Sequence, residues 1–203
     1  MFRTEINPEI STFKINLHNP ILSLGSCFAQ AMGGRMVDNK FNIVNNPFGV
    51  IFNPLSLQKL LGYTINKQYP DADTYVKNLG VYYNYHFHSC FSAVNQKDLQ
   101  HKVETGITDL HTYLSTCQWL ILSWGTAFVY ERKENDDLVA NCHKVPAKEF
   151  SKRLLSRKEI IDSFEKLNNI LLDLNPDIRI ILTVSPVRHI RDTMVANSLS
   201  KAT

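Results

Sequence analysis

Three stretches of the chain are apolar without polar alternation, and each stops at a turn residue: "ILSLG" (21–25), "WLILSWG" (119–125) and "IRIILTVSP" (178–186). Runs of this kind suit strands covered on both faces, as in a parallel sheet. Two longer segments place their apolar residues at helical spacing instead. Leu99, Val103, Leu110, Leu114 and Cys117 form one stripe over residues 96–117, and Ile160, Phe164, Leu167, Leu171 and Leu174 form another over 156–175. The second stripe opens with Ser156 and Glu159 at the spacing of a capping box, and Pro176 follows its end. The order of strands and helices predicts an α/β doubly wound domain.

The remaining segments are less regular. "NNPFGVIFNPLSLQKLLGY" (45–63) reads as a loop leading into a short helix. Residues 74–92 read as a hairpin turning near Asn78–Gly80, and 126–146 as a second hairpin with "ENDD" at its tip. "KRLLSRK" (152–158) reads as a linker into the amphipathic helix, and "RDTMVANSLSKAT" begins another helix after the third strand. Three parallel strands are thin for this architecture. The expectation is therefore one domain over residues 1–203, cut short at its C-terminus.

Composition narrows the function without naming it. The 203 residues are 44% hydrophobic and 20% charged, with a net charge of +3 and basic residues scattered along the chain. No basic stripe with interleaved aromatics points to nucleic acid. No stretch approaches the ~18 apolar residues of a membrane span. "MFRTEINPEI" does not have the form of a secretory signal. Cys27, Cys90, Cys117 and Cys142 lie far apart with no CxxC pair, which favours free thiols and a cytoplasmic location. Oligomeric state stays open.

The chemistry concentrates at residues 21–36, where Ser26 and Cys27 stand together between the first strand and a helix rich in small residues (Ala29, Ala31, Gly33, Gly34). Chemistry in open α/β sheets collects beyond the carboxyl ends of the strands. Backbone N–H groups and the positive end of a helix would stabilise developing negative charge there. A serine at that place is equally a preferred helix cap.

The histidines are weighed one by one. His18, His101 and His111 fall on predicted solvated positions. His86, His88 and Cys90 alternate in a predicted strand, so they share a face, and Cys142 or His143 could add a ligand. The aromatic neighbours Tyr82, Tyr83, Tyr85 and Phe87 instead favour a packed hairpin, so no metal and no cofactor are expected. His143 and His189 both follow predicted strands, where a histidine can act as a base, polarise a substrate or anchor a loop.

The "LGSCFA" at 24–29 resembles the defining motif of the GSCFA family of bacterial proteins. "FRTEI" (2–6), "NPFGVIFNP" (46–54), "WGTAFVYE" (124–131), "NCHKVP" (141–146) and "TVSPVRH" (183–189) extend the resemblance over nearly the whole chain. That family is similar to the SGNH (GDSL-like) esterases. The resemblance implies a three-layer, flavodoxin-like parallel sheet with flanking helices and β-hairpin insertions. It also implies hydrolysis of an ester on a small molecule or glycan. Ser26 is placed as nucleophile ahead of Cys27, although a literal alignment on Gly-Asp-Ser would put Cys27 there. Gly49 matches the loop glycine whose N–H meets the oxyanion. The usual Gly-x-Asn is Gly125-Thr126-Ala127 here, so Thr126 or Asn141 would supply the missing donor. His88 and His143 are placed at the pocket. The late Asp-x-x-His that supplies the base is expected beyond Thr203, with His189 the best surrogate. Asp98-Leu99-Gln100-His101 falls before the second strand and is read as accidental. A ligand-binding module on the same fold, or a thiol-dependent site at Cys27, are the alternatives.

Overall fold

The computed structural model describes residues 9–187 and 193–203. The chain runs β1 (Ile21–Gly25), α1 (Cys27–Asp38), β2 (Ile43–Asn45), α2 (Pro54–Asn66), β3 (Tyr75–Asn78), β4 (Val81–Asn84) and β5 (Ser92–Ala93). It continues with α3 (Gln96–Leu114), β6 (Trp119–Trp124), β7 (Phe128–Arg132), β8 (Leu138–Val139), β9 (Phe150–Leu154), α4 (Arg157–Leu174), β10 (Arg179–Val184) and α5 (Met194–Ala202). The three apolar runs become β1, β6 and β10 of one sheet, ordered β10-β6-β1-β2 and parallel throughout. A mixed α/β architecture with a parallel sheet and flanking helices is the result.

The sheet has a fourth strand that the apolar pattern did not reveal. β2 is only "IVN" and none of its three residues is fully buried, so it carries no continuous hydrophobic run. Its place beside β1 matters, because chain order reverses between β1 and β6. That reversal opens a crevice at the carboxyl ends of these two strands. The residues that follow them, Ser26 and Gly125, meet there.

One face of the sheet carries the main core. Leu22, Leu24, Leu120 and Leu122 pack with Leu57, Leu60 and Leu61 of α2, Val103 and Ile107 of α3, and Leu167 and Leu171 of α4. Truncating any one of these to alanine would cost about 2–5 kcal/mol. α1 touches β1, β2 and β6, and Gly33 permits its close approach: a Cβ there would lie 2.3 Å from the Asn45 side chain. The capping box forms as its spacing predicts, with Ser156 Oγ accepting from Glu159 N and the Glu159 carboxylate accepting from Ser156 N.

Two small antiparallel sheets complete the fold, β3-β4-β5 and β8-β7-β9. The two predicted hairpins are present, with turns at 79–80 and at 133–137. Two readings need correction. Residues 150–154 form β9, paired with β7, so the first three residues of "KRLLSRK" are strand and only 155–156 link it to α4: Arg153 ion-pairs with Glu131 of β7 and Glu159 of α4. Residues 85–91 form turns, not strand, as Phe87 N bonds Asn84 O at 3.1 Å and Phe91 N bonds His88 O at 2.9 Å. Phe87 and Phe91 both pack edge-on against Phe48 with their own rings 5.1 Å apart, whereas residues four apart along a strand stand about 13 Å from each other. His86, His88 and Cys90 consequently lack the shared strand face. Among the described residues, no helix is long and apolar enough to cross a membrane.

Candidate active site

The corner begins with Gly25, which ends β1 opposite Ser123 of β6. Its φ of +137° lies outside the range that L side chains favour, and a Cβ there would stand 2.1 Å from Ser123 O. Gly25 N donates to Asn46 Oδ1 at 2.7 Å and its carbonyl accepts from Ile51 N at 3.0 Å. The loop after β2 thus grips the end of β1 from the side.

Ser26 follows as the N-cap of α1. Its N–H donates to Ser123 O at 2.9 Å, and its hydroxyl accepts from Phe28 N at 3.3 Å. That hydroxyl also lies 3.0 Å from Ser123 Oγ, and both serines are 0% exposed. Cys27, the first residue of α1, is a half-buried free thiol. Its backbone N–H has no partner in the described structure. The two neighbours therefore differ sharply: the hydroxyl is fully engaged and enclosed, and the thiol is neither.

The loop after β6 closes the other side. Gly125 N donates to Phe52 O at 2.6 Å, and a Cβ on Gly125 would lie 3.1 Å from Ser26 Cβ. Thr126 N donates to the same carbonyl at 3.2 Å. Thr126 Oγ1 accepts from Phe128 N at 3.1 Å and lies 2.9 Å from Ser200 Oγ of α5, which in turn accepts from Ala127 N at 2.7 Å. Lys201 donates to the Gly125 carbonyl. Burial lowers the Lys201 pKa, and Cys27 acts on it electrostatically in the opposite sense. Thr126 thus reaches the corner's edge, with both its N–H and its hydroxyl already bonded.

The other expected residues form a separate group. Gly49, at φ +80°, donates its N–H to Asn46 O at 2.8 Å inside the loop, and a Cβ on it would meet His88 Cβ at 2.5 Å. His88 accepts from Cys90 N at 3.3 Å. Asn141 donates to Ser89 Oγ at 3.2 Å and accepts from His143 N at 2.9 Å. His143 is buried, its ring stacked on Tyr83, with Nε2–H donating to Asn84 O at 2.8 Å. Burial pushes its pKa down, so the ring is neutral and anchors the loop. No histidine is hydrogen-bonded to Ser26 or Cys27 among the described residues. His189 lies outside the described residues.

Sequence reading passed over Ser123, Lys201 and one further cluster. Ser123 had a signal: a polar residue interrupts an otherwise apolar strand just before Gly125. Lys201 had none, since only the fold brings α5 back to the end of β6. The cluster centres on His86, 3% exposed, whose Nε2 lies 2.7 Å from Asp137 Oδ2 and whose Nδ1 lies 3.1 Å from the Tyr63 hydroxyl. Lys59 joins Asp137 at 2.5 Å. Burial keeps His86 below the ordinary histidine range and keeps the Tyr63 hydroxyl protonated, so Tyr63 donates to Nδ1 and Nε2–H donates to Asp137. Burial opposes ionisation of Asp137, but the hydrogen bonds from His86 and Lys59 outweigh it and hold the carboxyl well below the usual range. Among the described residues, no group of three or more His, Cys, Asp or Glu side chains could hold a metal ion.

Searches against curated proteins and against solved structures find no match. The family model of the GSCFA family matches residues 20–203, from the start of the parallel sheet through α5. On that match the chain, corner and crevice included, belongs to the GSCFA family.

Proposed function

We propose that the β1–α1 corner carries acyl transfer to water, hydrolysing an ester, with Cys27 as the attacking group. Ser26 is then the residue that holds the corner in shape. The observation that carries this reading is the contrast in access: Ser26 is 0% exposed with its hydroxyl between Ser123 Oγ and Phe28 N, whereas Cys27 is half-buried and its thiol has no hydrogen-bond partner among the described residues. The literal alignment of Gly25-Ser26-Cys27 on the Gly-Asp-Ser corner of SGNH esterases supports the same assignment. A thiol also depends less than a hydroxyl on an adjacent base, and among the described residues no histidine contacts this corner.

In this reaction the Cys27 thiolate attacks the ester carbonyl and forms a C–S bond. The negative charge that develops on the carbonyl oxygen faces the N-terminus of α1, where the free Cys27 N–H and the helix dipole stabilise it. The tetrahedral intermediate breaks its C–O bond, and the alcohol leaves after taking a proton from solvent. Water then hydrolyses the thioester to a carboxylic acid and restores the thiol. The alternative of a ligand-binding module keeps the crevice without these steps.

The test is incubation with p-nitrophenyl acetate, followed by mass spectrometry of the peptide around residue 27. Acetyl trapped on Cys27, lost in Cys27→Ala, supports the assignment. Acetyl on Ser26 would return the nucleophile to the serine. No acylation of either, with the protein folded, would overturn hydrolysis at this corner and leave the binding module.

A further inference from the structure

A cavity of about 200 Å³ lies beside the corner, between the ends of β6 and β10 and the last turn of α5. Trp124, Ala127, Ile160 and Val184 supply apolar lining, and Thr126, Ser200 and Lys201 supply the polar groups. Its volume is below the ~300 Å³ at which pockets for drug-sized ligands begin, so it suits one small substituent. Lys201 connects it to the corner. The ammonium donates to the carbonyl of Gly125, the residue whose Cα borders Ser26, and Cys27 acts on it electrostatically.

Charge in this cavity is unbalanced. No carboxylate lies within ion-pair distance of Lys201 among the described residues, and its one protein partner is a carbonyl. The ammonium is part-buried against the apolar lining, and that burial depresses its pKa. The Trp124 side chain forms part of the wall, with its indole N–H buried beneath the surface and without a partner among the described residues. A cation that lines this cavity and is held by one neutral carbonyl calls for an anionic acceptor.

We propose that this cavity binds the carboxylate end of a short acidic acyl group, with Lys201 as the specificity-determining residue. The inference rests on the acyl-transfer reading of the corner and narrows its substrate to esters of small dicarboxylic acids. The acyl carbonyl would lie at Cys27 while the distal carboxylate enters the cavity and meets Lys201.

Two experiments separate this proposal from the reading beneath it. The first is binding alone: the Trp124 indole N–H resonance, assigned through Trp124→Phe, is followed by NMR on adding succinate or the neutral succinamide. A saturable shift with succinate and none with succinamide supports the site. Equal shifts with both, or none with either, overturn it whether or not the corner is catalytic. The second is selectivity: the ratio of kcat/KM for p-nitrophenyl hemisuccinate over p-nitrophenyl butyrate is measured in the wild type, Lys201→Arg and Lys201→Met. A ratio that falls roughly tenfold or more in Lys201→Met, the scale of one charged hydrogen bond, and recovers in Lys201→Arg supports the role. A Lys201→Met variant that is folded by circular dichroism but lowers kcat equally for both esters assigns Lys201 to the chemistry and overturns specificity. Succinate binding without hydrolysis of either ester would sink the acyl-transfer reading and leave the anion site standing.

Discussion

Ser26 and Ser123 face each other across the crevice, hydroxyl to hydroxyl at 3.0 Å, with solvent excluded from both. Ser26 also caps α1, so Ser26→Ala removes a helix cap and leaves the Ser123 hydroxyl buried without its partner. The expected loss is about 1–3 kcal/mol, read from urea unfolding. Ser123→Ala should cost less, because the Ser26 hydroxyl keeps Phe28 N. Removing both hydroxyls should cost less than the sum of the two single losses, since the second deletion has no orphaned partner. Strict additivity would show that the pair is not coupled.

Two glycines of α1 and the one before it give a sharper test of the corner's geometry. Gly25→Ala forces a side chain onto a φ of +137° and into Ser123 O, so the variant should unfold or lose several kcal/mol, beyond the ~1–3 typical of backbone strain alone. Gly33→Ala should also destabilise, by pushing the Asn45 side chain away from the helix. Gly34 has nothing within 4 Å of a built Cβ and sits inside α1. Gly34→Ala should therefore raise stability by about 0.5–1 kcal/mol. Thermal melts of the three variants rank them, and a stable Gly25→Ala would refute the described corner.

These residues also show what the sequence makes legible. β1, β6 and β10 announce themselves as short apolar runs, and α4 because its cap and its stripe agree, but β10 is an edge strand, not one covered on both faces, and leaves Leu182 and Val184 exposed. β2 is silent because a three-residue strand with polar Asn45 has no run to read. The turns at 85–91 mislead because their aromatics alternate like a strand while tertiary packing around Phe48 draws Phe87 and Phe91 inward together. At the corner, adjacency of Ser26 and Cys27 is visible, yet which of them is enclosed depends on Ser123, Gly125 and Phe52, all distant in sequence. His86 and Asp137 meet for the same reason: the two hairpins that carry them pack together only in the fold.

Acid should weaken the protein in two stages, and the sign follows from the direction of each shift. His86 and His143 have folded pKa values below the ordinary histidine value because burial disfavours the charged ring. Below ~6.5 the unfolded chain takes up protons that the folded chain does not, so this contribution is whole above ~6.5 and is lost as pH falls from there. Asp137 is also depressed, so its contribution is whole above ~3.9 and is lost below that value. The melting temperature should decline between about pH 7 and 5, and the decline should flatten in the His86→Gln, His143→Gln double variant. An equally steep decline in the double variant would show that these rings do not titrate with unfolding.

Gln58 of α2 presents the opposite case, a polar group that the fold does not reward. It is 5% exposed, and both its amide nitrogen and its amide oxygen are buried with no hydrogen-bond partner among the described residues. It borders a groove between α2 and α4 whose walls include Leu55, Leu138, Leu167 and Ile170. A buried amide without partners costs about 1–3 kcal/mol relative to one left in water. Met has nearly the same length and shape and no such requirement. Gln58→Met should therefore stabilise the protein by about 1 kcal/mol, seen as a higher urea midpoint at unchanged m-value. A loss of stability would mean that the amide is satisfied in solution by ordered water in the groove, which still makes the groove polar at its base and identifies Gln58 as the residue that keeps it so.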